Sequence, residues 1–332
     1  MPFLQEAEIR HSVSGLGGGL EGIMKQKKKK LWKRVKAHFP FYIFMLPGLV
    51  YLVINNYLPM LGLYMSFTKV NLVDGIFRGE FVGLQNFKFL TMTTDFPLII
   101  RNTVLYNLVF LVLNPVVGIL LALFMNEIHS KRRLKVYQTT ILLPSLISIQ
   151  IVTYIVYAFL CVDTGLMNKT ILPLLGKDAV RWYTTVKYWP AILIFVHFWM
   201  RSGFGSIVYF SSMLSISPDY YEAAELDGAA KRQQFLHITM PLLKPTIITM
   251  TIIGLGAIFK SDFGLFYQVP MGSGALHQVT QTIDTYVFRG LTGSGNLGYS
   301  AAAGFLQSVI GFVTVVVANW AIRKASPDDA MF

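Results

Sequence analysis

The chain has 332 residues, of which 54% are hydrophobic and only 14% are charged, and its mean hydropathy is +0.52. Soluble proteins carry about 25% charged residues, so this composition excludes a disordered chain and argues against a water-soluble enzyme. The formal charge is nevertheless +12, from 29 Lys and Arg against 17 Asp and Glu. Strong positive charge on so apolar a chain points either to a membrane or to nucleic acid.

Six stretches are long and apolar enough to cross a membrane as helices. In four of these stretches, a long segment contains no Asp, Glu, Lys or Arg. The stretch at Tyr188–Leu214 contains Arg201, and the stretch at Pro245–Val269 contains Lys260 and Asp262. We therefore predict an all-α membrane protein with six transmembrane helices. Their approximate bounds are Phe41–Phe67, Leu98–Met125, Val136–Leu160, Tyr188–Leu214, Pro245–Val269 and Leu297–Ile322.

The distribution of Lys and Arg predicts the orientation of these spans. With the N-terminus inside, 18 of the 29 basic residues lie in cytoplasmic segments and 8 lie in external loops. This excess follows the positive-inside rule and predicts that both termini are cytoplasmic. The lysine run Lys27–Lys30 precedes the first span and lacks interleaved aromatic residues, so contact with anionic lipid headgroups is expected rather than nucleic-acid binding.

Sequence motifs for catalysis or metal binding do not support an enzyme. The chain has no P-loop, no H-E-x-x-H zinc motif and no G-x-S-x-G nucleophile motif, and its single cysteine is Cys161. A G-x-G-x-x-G pattern occurs at Gly293, Gly295 and Gly298, but it opens the last span instead of following a strand. It is therefore interpreted as an external turn, and no cofactor or metal is expected in this chain.

The segment 217–245 is the longest inward-facing loop between spans, and it has strong helix signals. Ser217 is a predicted N-cap followed by Pro218, and Gly228 should stop this first helix. A second helix is predicted over Ala229–Ile238, ending before Pro241. On these features alone, a surface helix without a partner is an equally good interpretation.

The residues of this loop and their spacing resemble a motif of a known protein family. Glu222-Ala223-Ala224, then Gly228, Ile238 and Pro241, resembles the EAA loop of binding-protein-dependent type I ABC importer permeases, with Met240 where the family pattern has Leu. Other segments are similar to the lipoprotein-type polysaccharide permeases of the carbohydrate-uptake branch. They are Pro47-Gly48, Tyr57-Leu58-Pro59, Ser66-Phe67, Gly83-Leu84-Gln85-Asn86-Phe87, Arg101-Asn102-Thr103, Leu142-Leu143-Pro144 and Gly264-Leu265-Phe266-Tyr267.

The resemblance implies a permease subunit that imports an oligosaccharide or polysaccharide fragment through the bacterial cytoplasmic membrane. Its implied partners are a second, usually different permease, two ATPase subunits that bind ATP and Mg²⁺, and an extracytoplasmic solute-binding protein. Glu222 would anchor the coupling helix on the ATPase, Ala223 and Ala224 would allow a close fit, and Asp227 and Gly228 would form the turn. The implied domains are a basic arm at 1–38, a first helix at 39–68, and a transmembrane domain at 97–324 with the EAA loop 217–245.

Polar and aromatic residues inside the spans are candidates for the substrate path, because polar groups at membrane depth are costly and usually face the bundle interior. Interhelical hydrogen bonds and interfacial aromatic belts are the alternative explanation, and Lys260 and Asp262 could pair with each other or with the partner permease. If Arg201 and Lys260 line the pore, an acidic oligosaccharide is expected. The candidates are Asn102, Tyr106, Asn107, Tyr154, Trp199, Arg201, Lys260 and Asp262.

Two other classes of membrane protein are compatible with six spans. A secondary transporter working without ATP commonly shows inverted repeats with broken helices at mid-membrane, and no internal repeat is visible here. A membrane scaffold protein would not need a coupling loop. An ATPase that co-purifies with the chain would favour the importer over both.

Overall fold

The computed structural model describes residues 38–70, 75, 78–294 and 297–325. The predicted basic arm lies outside these residues except for His38, as does Gly295 of the glycine pattern. The described chain is almost entirely helical and includes one antiparallel hairpin, in which β1 (Thr68–Lys69) pairs with β2 (Glu80–Phe81). It divides into two compact units at Gly62–Leu63, which are described separately.

The described part of the first unit is one apolar helical path. Helix α1 (Phe39–Leu52) continues as a π-helical turn (Val53–Tyr57) and then as a 3₁₀ segment (Leu58–Phe67), whose end belongs to the second unit. The whole path, Phe39–Phe67, is long and apolar enough to cross a membrane. The first predicted span is therefore confirmed.

Twelve further α-helices lie in the described part of the second unit. Short π or 3₁₀ segments connect several of them, at Met167–Ile171, Trp182–Thr184, Val186–Tyr188, Phe235–Thr239, Gly264–Gln268, Gly274–Leu276 and Gly290–Ser294. The α-helices are α2 (Gln85–Met92), α3 (Asp95–Asn126), α4 (Lys131–Leu146), α5 (Ile149–Leu160), α6 (Leu172–Leu174), α7 (Trp189–Leu214), α8 (Pro218–Leu226), α9 (Lys231–Gln234), α10 (Met240–Gly256), α11 (His277–Thr280), α12 (Ile283–Arg289) and α13 (Leu297–Ala325).

The described residues contain five helices that could each cross a membrane, and a sixth span if the bent pair α4 and α5 is taken as one. This agrees with the six predicted spans. The second, fourth and sixth correspond to α3, α7 and α13, with bounds close to those expected from hydropathy.

The third span is broken, so the prediction of one continuous helix over Val136–Leu160 is wrong. Helices α4 and α5 meet at an angle of 94°. Pro144 has no N–H to continue the helix, and Ile147 and Ser148 adopt extended backbone. The Ser148 hydroxyl then caps α5 by accepting a hydrogen bond from the Ile151 amide at 3.5 Å.

The fifth span is also shorter than predicted at its far end. Helix α10 stops at Gly256 instead of continuing to Val269, and helical structure resumes only at Gly264–Gln268. Asp262 favours this restart, because its Oδ1 accepts a hydrogen bond from the Leu265 amide at 3.2 Å. Lys260, Ser261 and Asp262 lie in this break and are its local signal in the sequence.

The predicted end of the second loop helix before Pro241 is wrong as well. The path runs without interruption from α9 through the π-helical segment Phe235–Thr239 into α10. Pro241 follows directly after the π-helical segment, and the helical path continues past it into α10, so it does not end the helix. The loop is therefore joined rigidly to the fifth span.

Close packing of the spans depends on small residues, because lipid tails provide no hydrophobic drive for helices to associate. Gly203 of α7 lies directly against the backbone of Ile141 in α4, and Gly118 of α3 lies against the ring of Tyr209. Two large apolar clusters fill the bundle at different depths. One surrounds Trp189 and Phe266 and the other surrounds Met125, Met213 and Leu243.

Candidate functional site

Helix α8, which carries the Glu222-Ala223-Ala224 motif, is capped at both ends. The Ser217 hydroxyl accepts a hydrogen bond from the Asp219 amide at 3.4 Å, as predicted. At the other end Gly228 has φ +76°, its amide donates to Glu225 O at 3.0 Å, and the Ala229 amide donates to Ala224 O at 2.9 Å. This pair of bonds is a Schellman motif, which confirms Gly228 as the stop.

The motif face of α8 is open. Glu222, Ala223, Asp227 and Gly228 are exposed, and Ala224 is half-buried. Two large side chains of this helix are also exposed, Tyr220 at 58% and Leu226 at 90%, and Leu226 is not among the residues predicted from the sequence. The sequence signal for this exposed surface is the presence of apolar side chains inside the otherwise polar segment 217–228, because such residues on a loop often mark a protein contact.

Helix α8 is tied to the spans by specific polar contacts. The Tyr221 hydroxyl lies 2.9 Å from the hydroxyl of Thr239, just before α10 begins. The Gln234 side-chain amide donates to Ala229 O at 3.2 Å, which joins the turn after α8 to α9. Phe235 and Met240 pack in turn on the apolar cluster shared by α3, α7 and α10. A displacement of α8 would therefore reach three spans.

Of the eight predicted substrate-path residues, Arg201 and Asp262 form a direct pair. Arg201 lies near the middle of α7, and its Nη2 is 2.7 Å from Oδ2 of Asp262 in the break of the fifth span. The Arg201 side chain is 60% exposed and that of Asp262 is 33% exposed. The partner of Asp262 in this structure is thus Arg201, a pairing that the sequence did not predict. Lys260, the partner that the sequence suggested, is exposed nearby in the chain.

The ion pair lies in the wall of a cavity of about 290 Å³. Both helix breaks contribute to this wall, with Ile147 from the third span and Phe263 from the fifth. Gln268 also lines it, and its Oε1 is buried with no hydrogen-bond partner. The complete lining is Ser145, Ile147, Ile149, Met200, Arg201, Asp262, Phe263, Gly264 and Gln268.

Three of the other candidates are engaged inside the bundle. The Asn102 side-chain amide donates to Gln281 O at 2.9 Å, and that of Asn107 donates to Lys260 O at 2.8 Å. Tyr106 is buried in the apolar cluster around Trp189, with its ring 4.8 Å from that of Phe266. These contacts match the alternative explanation of interhelical bonding and packing.

Tyr154 and Trp199 are exposed, at 67% and 37%, and with Lys260 they stay predicted substrate-path residues. Within the described part of the chain, no cluster of three or more His, Cys, Asp or Glu side chains could hold a metal ion.

Broken spans around an ion pair, with a capped and exposed helix between the fourth and fifth spans, indicate a membrane transport protein, and its likeness to solved structures identifies the fold as that of a type I ABC permease. Two solved structures share this fold. A bacterial ABC transporter involved in import of the acidic polysaccharide alginate matches with a TM-score of 0.80 and 32% identity, covering 90% of this chain and 99% of the other. The same kind of transporter in complex with an alginate pentasaccharide-bound periplasmic protein matches with a TM-score of 0.79.

The chain belongs to the family of binding-protein-dependent transport system inner membrane components, whose family model matches residues 114–327. Protein LplB of Bacillus subtilis is 31% identical over 284 residues, which cover 85% of this chain and 88% of that protein. The polygalacturonan/rhamnogalacturonan transport system permease protein YteP of Bacillus subtilis is 31% identical over 301 residues, covering 90% of this chain and 92% of the relative. The chain is therefore a membrane permease subunit and not itself an enzyme.

Proposed function

We propose that this chain forms one half of the membrane pore of an ATP-driven importer for oligosaccharides. The observation that carries the proposal is the match along 90% of the chain, at 32% identity, to the permease of an alginate importer. The name of a second relative, YteP, refers to polygalacturonan and rhamnogalacturonan. The other half of the pore is a second permease subunit, and an external solute-binding protein delivers the sugar.

The geometry of α8 supports docking of an ATPase subunit on the segment 217–228. Leu226 and Tyr220 protrude from the helix, and a large apolar side chain is stabilised when a partner protein covers it. Glu222 is exposed beside them and can accept hydrogen bonds from basic or hydroxyl groups of the partner. The contacts of α8 with α9 and α10 then transmit the motion of the ATPase to the pore.

This docking requires segment 217–228 and both termini to face the cytoplasm, where ATP is available. The excess of Lys and Arg on the same side supports that orientation. ATP and Mg²⁺ bind to the ATPase, and no cofactor binds to this chain.

A charge reversal on α8 tests the docking. The Glu222→Lys variant should lose the ATPase subunit when the complex is purified through a tag on this chain, and sugar-stimulated ATP hydrolysis should fall with it. Asp178→Lys is the matched control, because Asp178 is also exposed but lies in the loop between the third and fourth spans, outside the segment 217–228. Equal ATPase retention and equal sugar stimulation in both variants would contradict a docking role for Glu222.

An ion-driven transporter is the second candidate, because broken helices at membrane depth also bind ions and substrates in that class. The breaks at Ile147–Ser148 and before Gly264 are the observation that favours it. Proteoliposomes containing this chain and its companion permease, but no ATPase, separate the two functions. Accumulation of sugar driven by an ion gradient would replace our proposal, whereas uptake only with the ATPase subunits and ATP supports it.

A further inference from the structure

We propose that Arg201 binds a carboxylate group of the transported oligosaccharide, and that Asp262 holds the guanidinium in place for it. This inference rests on the proposed import of oligosaccharides and specifies their chemical class. The cavity between the third, fourth and fifth spans would then select sugars that carry uronic acid units or another carboxylate.

The two helix breaks identify this level of the bundle as a polar site. Backbone that is not helical has unsatisfied polar groups, and it is tolerated at membrane depth only where it is buried in protein or lines a water-filled cavity. The breaks at Ile147–Ser148 and Ala257–Phe263 come from different spans, yet both border the cavity that contains Arg201. Gly264 lets them approach, since a Cβ there would lie 2.6 Å from Ile149 Cγ1.

The exposure of Arg201 indicates that its guanidinium faces an aqueous path. Although it pairs with Asp262, the Arg201 side chain is 60% exposed, and an arginine facing lipid at the middle of a 26-residue helix would be strongly unfavourable. Only Nη2 is used in the pair, at 2.7 Å. A guanidinium has five N–H donors, so further donors are available to bind a carboxylate through two parallel hydrogen bonds.

Asp262 is suited to fixing Arg201, because it uses only one of the guanidinium nitrogens and leaves the others free. Its Oδ1 is engaged by the Leu265 amide, which holds the carboxylate at the start of the Gly264–Gln268 helix. Lys260 is exposed two residues away in the chain, and Asp284 accepts a hydrogen bond from the Ser261 amide at 2.6 Å, so the two basic residues around the break are matched by two carboxylates. Among the described residues, Arg201 is the one basic residue in the wall of this cavity, and its remaining N–H donors favour an anionic sugar.

The remaining wall of the cavity fits a sugar. Phe263 offers an aromatic ring that is stacked on Tyr267, with the ring centroids 4.9 Å apart. The Gln268 Oε1 has no hydrogen-bond partner and could accept a bond from a sugar hydroxyl after a small rotation of its side chain. A charged group, an aromatic ring and an amide thus surround one space of about 290 Å³, which is enough for part of an oligosaccharide.

The test uses the complete complex in proteoliposomes, with its companion permease, its ATPase subunits and saturating amounts of its binding protein. Uptake of a uronate-containing oligosaccharide is compared with uptake of a carboxyl-reduced, neutral oligosaccharide. For each sugar the rate of a variant is divided by that of the wild type, so that the preference of the binding protein cancels. Arg201→Gln should lower uronate uptake roughly tenfold or more and neutral uptake about twofold at most, because one charge-assisted contact is lost.

Three variants separate recognition from folding. Arg201→Lys should keep part of the uronate uptake, since the charge remains but the paired geometry is lost. The double variant Arg201→Gln/Asp262→Asn leaves no uncompensated charge at this depth, and it should match the wild type in thermal unfolding while uronate uptake stays low. Arg101→Gln is the matched control, because it removes the same charge at the edge of a span and should affect both sugars equally.

An equal loss of uptake for both sugars in Arg201→Gln would overturn the inference and leave Arg201 a purely structural link between two spans. Normal uronate uptake in the double variant would overturn it too, as would a wild-type complex that imports only neutral sugars. A wild-type complex that hydrolyses ATP but imports neither sugar would instead refute the proposed function. The failures of the two proposals are therefore distinguishable.

Discussion

Gly228 ends the exposed helix α8 in a backbone conformation that other residues adopt only with strain. Its φ is +76°, and a Cβ built there meets no atom within 4 Å. A substitution therefore acts on the backbone alone, not through a clash. The Ala and Val variants should disturb the loop to different degrees, and Asn should be tolerated best, because its short polar side chain adopts left-handed conformations more readily.

The size of the effect follows from this conformation. A residue with a Cβ loses ~1–2 kcal/mol in the left-handed region, with β-branched Val at the upper end. That loss lowers the ratio of native to altered loop conformations by roughly 5- to 30-fold. The altered loop would lose the two hydrogen bonds of the Schellman motif, from the amides of Gly228 and Ala229, and would change the direction in which α8 presents Glu222.

The assay is the number of sugar molecules imported per ATP hydrolysed by the reconstituted complex. We expect this coupling ratio to fall in the order Asn, Ala, Val at position 228. Gly176→Val provides the matched control, because Gly176 also has a positive φ, of +66°, and open space around its Cβ position, but lies in the loop between the third and fourth spans. It should carry the same local strain and leave coupling unchanged.

Equal coupling in the Asn and Val variants would refute the backbone argument, because the left-handed conformation favours Asn over Val and a Cβ at this position meets no atom within 4 Å. A coupling loss in Gly176→Val as large as in Gly228→Val would also refute it, since strain anywhere in the chain would then be sufficient.

Three further predictions concern packing, interhelical bonding and topology. Gly203→Ala should destabilise the bundle by ~1–3 kcal/mol, measured by thermal unfolding, because a Cβ there would overlap the backbone of Ile141. Gly205→Ala is the control, since Gly205 lies two residues along the same helix and faces open space, and it should leave the unfolding temperature unchanged. Asn102→Leu should lower stability by ~1–3 kcal/mol in the same measurement, because the buried Asn102 amide no longer donates to Gln281 O, and Gln278 O keeps only its hydrogen bond from Arg101; unchanged unfolding would contradict this. Hydrogen bonds with Thr164 and with Tyr157 lower the pKa of Cys161 to about 7, so a membrane-impermeant maleimide should label intact cells faster as the pH rises through 7. Cys161→Ser should abolish this labelling, and labelling of the wild type only after the cells are opened would reverse the proposed orientation.

The sequence alone was sufficient for the local features of this protein. Six apolar stretches predicted the number of spans because crossing a bilayer requires length and hydropathy, which any window of the chain displays. The cap at Ser217 and the stop at Gly228 were equally predictable, because each depends on a few adjacent residues. The resemblance of the loop motif then indicated the family that the comparisons confirm.

Only the tertiary structure decided which polar residues meet and where the spans break. Arg201 and Asp262 are 61 residues apart, and Asn102 and Gln278 are 176 apart, so neither pairing can be read from local pattern. The break near Ser148 has a local signal in Pro144, and the one before Gly264 has a signal in Lys260 and Asp262, but neither signal shows where the helix ends and restarts. Contacts between distant spans compensate the lost backbone bonds there, and those contacts exist only once the bundle has formed.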